Sequence, residues 1–155
     1  MSSVRFARVE ELARVNELRK VVNDLHVDGR PDRFKSGFED VSKQLSEMWN
    51  SDEFDIIVAE RDGIICGYAC VKHAEKKETP FTKAMKFDHV DEFCVDEAFR
   101  RQGVATDLIE FIRENAQKRG ISKIELNVWS FNEGAVRFYE SVGFKTYRRL
   151  MELDF

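Results

Sequence analysis

Apolar positions along the chain change their spacing several times, and each change marks a different element. Residues 4–7 form a short apolar run that predicts a strand. From Val9 onward, Leu12, Val15, Leu18, Val22 and Leu25 recur every three or four residues, the spacing of one helical face. Gly29-Arg30-Pro31-Asp32 ends this helix, and Val41, Leu45, Met48 and Trp49 place a second one at about 38–49. Residues 54–60 then read as a strand, Arg61-Asp62-Gly63 as a tight turn and residues 64–72 as the antiparallel partner.

Residues 74–86 are polar, rich in lysine and carry Pro80, so an exposed loop is expected there, with Phe81 at a place that borders a substrate. A strand follows at 87–95. Leu108, Ile109, Phe111 and Ile112 give the span 104–118 the pattern of an amphipathic helix, and Gly120 stops it. Residues 121–128 predict a strand. Asn132 suits the N-cap of a short helix that ends near Val142 and Gly143, and residues 144–153 read as a final extended segment. This order describes an α/β domain over residues 1–155. Its mixed central sheet has antiparallel early strands, a later parallel pair around a helical crossover, and flanking helices.

Composition narrows the class. The chain is 43% hydrophobic and 35% charged with 13 Phe, enough apolar matter for a packed core. No run reaches the ~18–20 apolar residues of a spanning helix, and the first residues lack a secretory pattern, so no membrane role and a cytoplasmic location are expected. Acidic residues exceed basic ones by 29 to 25, which gives no global attraction to nucleic acid. Cys66, Cys70 and Cys94 are an odd number. The first two, four apart in one strand, would stand ~13 Å apart, too far for a disulfide, so buried thiols are expected. His26, His73 and His89 do not fall into a zinc-binding spacing, and no metal is predicted.

Two segments carry chemistry. Arg100-Arg101-Gln102-Gly103-Val104-Ala105-Thr106 joins a strand to the start of a helix. Glycine lets backbone approach a ligand, a helix N-terminus offers free N–H groups and a positive dipole, and the arginines add charge. That combination suits a pyrophosphate. It is neither the phosphate loop that needs Gly-x-x-x-x-Gly-Lys nor the three-glycine dinucleotide fingerprint. The second segment runs from Asn132 to Phe144, where Val136, Tyr139 and Val142 at helical spacing also have a simple reading as core.

Together the two segments resemble the signatures of the Gcn5-related N-acetyltransferase (GNAT) family. Its motif Arg/Gln-x-x-Gly-x-Gly/Ala matches Arg100, Gly103 and Ala105. Its motif Asn-x-x-Ala-x-x-Phe-Tyr-x-x-x-Gly-Phe matches Asn132, Ala135, Phe138, Tyr139, Gly143 and Phe144. The resemblance covers residues from about 54 onward by motif and the first fifty by layout alone. It implies a splayed parallel pair around Phe93 and Leu126 with the pantetheine arm of acetyl-CoA between the strands. Backbone at Phe93 and Val95 would pair with the pantetheine amides, the amides of Arg101 to Ala105 would hold the pyrophosphate within a cofactor-binding loop 100–106, and Asn132 would lie beside the pantetheine.

Attack of an amine on a thioester needs a base, support for an oxyanion and a proton for the departing thiolate. The resemblance gives the last task to Tyr139. For the base it points to His89 and Asp91, with Glu92 as competitor, since a bulge would change which side chains face the acceptor. Simple alternation places His89 and Asp91 on one face and Glu92 on the other. Asp88, Asp91 and Glu92 form an acidic set that would favour a cationic amine, and the charged turn 27–34 would form one wall of the acceptor site. The functions in contention are a small-molecule amine acetyltransferase, a protein Lys or N-terminal amine acetyltransferase, and a CoA-binding sensor without turnover. Dimers are frequent in the family, and Phe131 and Phe155 are candidate contacts for a homodimer.

Overall fold

The computed structural model describes residues 2–37 and 41–155. It contains β1 (Ser3–Phe6), α1 (Leu12–Gly29), α2 (Val41–Trp49), β2 (Phe54–Arg61), β3 (Ile64–Lys76), β4 (Met85–Val95), α3 (Val104–Lys118), β5 (Ile124–Leu126) and α4 (Glu133–Ser141). The expected start of the second helix, at 38–40, lies outside the described residues. The five strands lie side by side in chain order. Pairing is antiparallel from β1 to β4 and parallel between β4 and β5, where α3 makes the crossover.

Each face of the sheet has its own core. Val15 and Leu18 of α1 and Leu45 and Met48 of α2 pack on Ile56, Val58, Tyr68 and Cys70 on one face. On the other, Val104, Leu108, Ile109 and Ile112 of α3 pack on Ile57, Ala59, Ala69, Val71 and Val90. The β2–β3 turn has two residues, with Asp62 at φ 52° and Gly63 at φ 77°, the backbone that a tight hairpin requires.

Two irregularities matter more than the regular pairing. A register shift next to Ala59 and Glu60 lets Cys66 turn to the α3 face while Cys70 faces α1 and α2. The two thiols therefore sit in different layers, and all three cysteines are buried and free. A second shift falls between Cys70 and Val71: Cys70 opposes Glu92, Val71 opposes Val90, and Asp91 is the extra residue.

Three boundaries differ from the expectation. β3 and β4 run on to Lys76 and from Met85, so the exposed loop shrinks to residues 77–84, with Phe81 fully in solvent. These added rungs have no helix over them, which is why their side chains are polar and read as loop. β5 shortens to three residues because its partner β4 leaves it after Val90. Residues 144–153 take no part in the sheet.

Candidate functional site

The site begins where the parallel pair opens. Pairing runs from Asp88 opposite Ile124 to Val90 opposite Leu126 and then ends, although β4 continues to Val95. The edge of β4 from Asp91 to Val95 is thus paired to β3 on one side only. Unpaired strand edges present free N–H and C=O groups to whatever lies beside them.

Just beyond that edge, Arg100 Nε donates to the Val95 carbonyl (3.4 Å), and the chain turns through Arg101 (φ 62°) and Gly103 (φ 84°) into α3. Arg61 donates to the Gln102 carbonyl (3.2 Å) and to its side chain, which pins the turn from outside. Val104 is buried against the sheet, so its contribution to the loop is its backbone. The first N–H groups of a helix have no carbonyl partner within it, and here they open toward the loop at Gly103. A Cβ on Gly103 would meet nothing within 4 Å, so there is room for a ligand at this point. At Gly67 the opposite holds: a Cβ would come 3.0 Å from the Cys94 carbonyl and 3.2–3.3 Å from Leu108 and Val104. Only glycine there lets the start of α3 sit this close to β3 and β4. The residues present fit a bound pyrophosphate.

The bulge at Asp91 decides which side chains face α1. Asp88 and Val90 face α3: Asp88 accepts from Arg119, and Val90 belongs to the α3 core. His89 and Asp91 therefore point the other way. Past the bulge the phase changes, and Glu92 points there too, which corrects the expected alternation. Its carboxylate is held by Arg19 of α1 through two bonds, 2.7 Å from Nε and 3.0 Å from Nη2, and accepts from the Tyr68 hydroxyl (3.0 Å). Arg19 is 5% exposed and also donates to the Val41 carbonyl, Asn16 and Gln44. Burial, then the Glu92 charge, push the Tyr68 phenol well up.

His89 and Asp91 stand apart from that network. Asn127, just past β5, has only donor hydrogens on Nδ2 and lies 3.3 Å from His89 Nε2. Nε2 must then accept, and Nδ1–H donates to Asp91 Oδ1 at 2.6 Å. The imidazole is held at both nitrogens, its Nε2 lone pair on the Asn127 amide at the mouth of the splayed strands. The acidic set of Asp88, Asp91 and Glu92 does not form one patch. Asp88 is on the other face between Arg119 and His73, and Glu92 is neutralised by Arg19. The expected attraction for a cationic amine loses its basis.

Tyr139 of α4 lies across the opening from β4, its ring centre 5.9 Å from Phe93, 5.5 Å from Phe138 and 5.6 Å from Phe144. Burial pushes its phenol up to about 12, and the same cause moves Cys94 up to about 11. Asn132 Oδ1 accepts from the Ala135 amide (3.2 Å) and caps α4, as expected of it.

One feature of the site was not anticipated. His26 of α1, Phe34, Trp129 and Phe131 pack into an aromatic wall, with ring centres 4.8–6.3 Å apart. Arg30 and Arg33 stack on Trp129 at 5.3 and 5.8 Å, and both pair with Glu152. Gly29 has no room for a Cβ, which would fall 2.3 Å from the Phe131 ring. The turn 27–34 reads as charged from sequence, yet Arg30 and Arg33 both sit over the ring of Trp129, about a hundred positions away.

With this geometry in view, comparison places the protein. Residues 18–144 match the acetyltransferase (GNAT) family, and the chain belongs to it. A protein of Methanocaldococcus jannaschii called an uncharacterized N-acetyltransferase is 35% identical over 103 residues, which make up 63% of this chain and 42% of that protein. The match thus spans less than half of that relative. Among solved structures, a tetramutant of the BH1408 protein of Bacillus halodurans superposes with a TM-score of 0.93 at 27% identity over 99% of both chains. Aminoglycoside N-acetyltransferase AAC(6')-Iy in complex with CoA shares the fold, with a TM-score of 0.80 at 17% identity over 99% of this chain and 94% of that one. Among the described residues, no helix is long and apolar enough to cross a membrane.

Proposed function

We propose that the protein transfers the acetyl group of acetyl-CoA to a primary amine of a small molecule, with His89 as base and Tyr139 as acid. Family membership supports acetyl-CoA as donor. The glycine turn and first turn of α3, residues 101–106, would take the pyrophosphate, with the Arg100 guanidinium beside it. The unpaired edge at Phe93 and Val95 would take the pantetheine amides, and the Asn132 side-chain nitrogen, not used by the cap, would face the same arm.

The Asp91–His89–Asn127 chain carries the assignment of the base. A general base needs an unprotonated lone pair at the substrate and a second group that fixes its tautomer. Asp91 fixes the His89 tautomer, and the Nε2 lone pair passes from the Asn127 amide to the acceptor when substrate binds, whereas the Glu92 carboxylate is locked by the buried Arg19 and by Tyr68. His89 Nε2 accepts a proton from the ammonium form of the acceptor, and the free amine attacks the acetyl carbonyl carbon. An N–H on the open edge of β4 supports the oxyanion. The C–S bond breaks, the thiolate takes the Tyr139 phenolic proton, which is in place at neutral pH, and the attacking nitrogen gives up its second proton through solvent to the phenolate, which leaves the neutral amide and restores Tyr139. The aromatic wall and the Arg30–Glu152 and Arg33–Glu152 pairs close one side of the acceptor region, which favours a compact amine over an extended peptide.

Release of CoA thiol across polyamines, aminoglycosides, amino acids and peptides tests this reading. Turnover with a small amine supports it. Turnover with peptides alone gives the acceptor site to protein amines, and acetyl-CoA binding with no turnover on any amine points to a sensor. His89→Ala is expected to lower kcat by ~10²–10⁴ with acetyl-CoA affinity unchanged. A normal kcat in that variant removes His89 from the reaction.

A further inference from the structure

Four charged groups stand on the aromatic wall. Arg30 Nε and Nη2 hold the Asp32 carboxylate at 2.9 and 2.7 Å, a pair made within one turn of chain. The Glu152 carboxylate comes from the far end of the sequence and bridges both guanidiniums: it accepts from Arg30 Nη1 (2.8 Å), Arg30 Nη2 (3.1 Å) and Arg33 Nη2 (3.3 Å). Trp129 supports the two arginines, its ring centre 5.3 and 5.8 Å from their guanidinium carbons. An indole face attracts a guanidinium and leaves its N–H edges to meet a carboxylate.

Glu152 is lightly anchored there. Every residue from 145 to 155 is exposed, and none makes a backbone hydrogen bond to another backbone group among the described residues. The Glu152 side chain is 46% accessible, and an ion pair so open to water contributes little to stability. A ligand carboxylate can therefore displace it. Two guanidiniums and two carboxylates balance while Glu152 is in place. Without it, Arg30, Arg33 and Asp32 keep one positive charge, which one carboxylate neutralises and a phosphate dianion would exceed.

The cluster lies close to the reacting end of the site. Trp129 is two residues past Asn127, at most ~7 Å along the chain, and Asn127 Nδ2 is 3.3 Å from His89 Nε2. Around His89 the available charge has the opposite sign: Asp91 lies 2.6 Å from Nδ1, while Asp88 and Glu92 are each held by an arginine. One place thus suits an ammonium and another, on the order of 10 Å away, suits a carboxylate. Resting on the acetyl transfer proposed above, we infer that the acceptor is an amino acid, a small amine that also carries a carboxylate. Its ammonium goes to His89 and Asp91, and its carboxylate replaces Glu152 on Arg30 and Arg33. Glu152 holds the place of that carboxylate and competes with it.

Initial rates with amino acids, each beside its own carboxamide, test the inference, with polyamines and aminoglycosides in the same panel. The best acceptor is expected to carry a carboxylate and to have a KM at least ~10-fold below that of its carboxamide. A carboxamide that serves equally well, or a polyamine or aminoglycoside as best acceptor, overturns the inference and leaves the acetyl transfer standing. In the double variant Arg30→Gln with Arg33→Gln the preference for acid over carboxamide is expected to vanish, and in Glu152→Gln to widen several-fold as the competitor is removed. A preference that survives the arginine substitutions, or that does not widen without Glu152, overturns the inference. Calorimetry with acetyl-CoA checks that each variant is folded. If no amine turns over, the proposed reaction fails, and calorimetry of the same amino acids on CoA-saturated protein still decides the carboxylate site. Binding that the double arginine variant loses supports it; absent binding, or binding that this variant keeps, overturns it.

Discussion

The two ends of the opening between β4 and β5 are built in opposite ways. At the proposed pyrophosphate end the working groups would be backbone amides, and the side chains that matter are those that are absent, at Gly103 and Gly67. At the proposed acceptor end they would be side chains from β4, α1, α4 and the stretch after β5, which a bulge and a buried ion pair position. A backbone site is written in consecutive residues. A side-chain site depends on register, and one inserted residue redirects every side chain beyond it.

The buried pair Arg19–Glu92 is the sharpest point at which to break this contrast, because it fixes α1 to β4 just past the bulge. Arg19→Ala leaves Glu92 in the sheet face without its cation and is expected to lower stability by about 3–5 kcal/mol. Removing both charges, as Arg19→Met with Glu92→Leu, is expected to cost far less, as denaturant unfolding of the two variants will show. Equal losses would mean that Arg19 acts through its packing and its bond to the Val41 carbonyl rather than through Glu92.

At the other end, Gly103→Trp puts a side chain into the ligand's space and forces a left-handed backbone on a residue with a Cβ. The expected loss of acetyl-CoA affinity is at least ~100-fold by calorimetry, with folding stability lowered by only about 1–2 kcal/mol. A stability loss as large as that of Arg19→Ala would erase the distinction between the ends. Tyr139→Phe sits between the two cases. Loss of the phenolic proton alone is expected to lower kcat by ~10² and leave acetyl-CoA affinity as it was. A parallel fall in affinity would show that the hydroxyl holds the cofactor.

The same contrast explains what was legible in the sequence. α3 was read to its residue limits because Gly103 and Gly120 bracket a clear apolar stripe, and the α4 cap at Asn132 was read from its type and place. The bulge at Asp91 leaves no mark in the pattern: alternation alone puts Glu92 on the other face, and only the allowance for a bulge keeps it in contention, an allowance the register shift bears out. The partner of Glu92, Arg19, is 73 positions away and looks like any charged helix residue. The aromatic wall escaped for the same reason: His26, Phe34 and Trp129 come from separate stretches that only the fold unites. The polar rungs 73–76 and 85–86 pair without a core to cover, and hydropathy does not register a strand of that kind.

The smallest expected effect lies in the aromatic cluster proposed as the acceptor wall and depends on pH. Burial among Phe34 and Phe131 lowers the pKa of His26 from its ordinary value of 6.5, so the folded chain prefers the neutral ring. The unfolded chain then takes up its proton first as pH falls below about 6.5. Stability contributed by the neutral His26 is fully present above that value and is lost as pH descends toward the lowered folded value. The melting temperature is expected to drop modestly from pH 7.5 to 5.5, and less so in His26→Gln, whose side chain does not titrate. Acetyl-CoA affinity should show no matching difference between wild type and variant, since no histidine lies in the 100–106 loop. If His26→Gln changed the pH dependence of acetyl-CoA binding as much as that of melting, the wall and the pyrophosphate loop would be coupled through α1, and the two ends would have to be treated as one site.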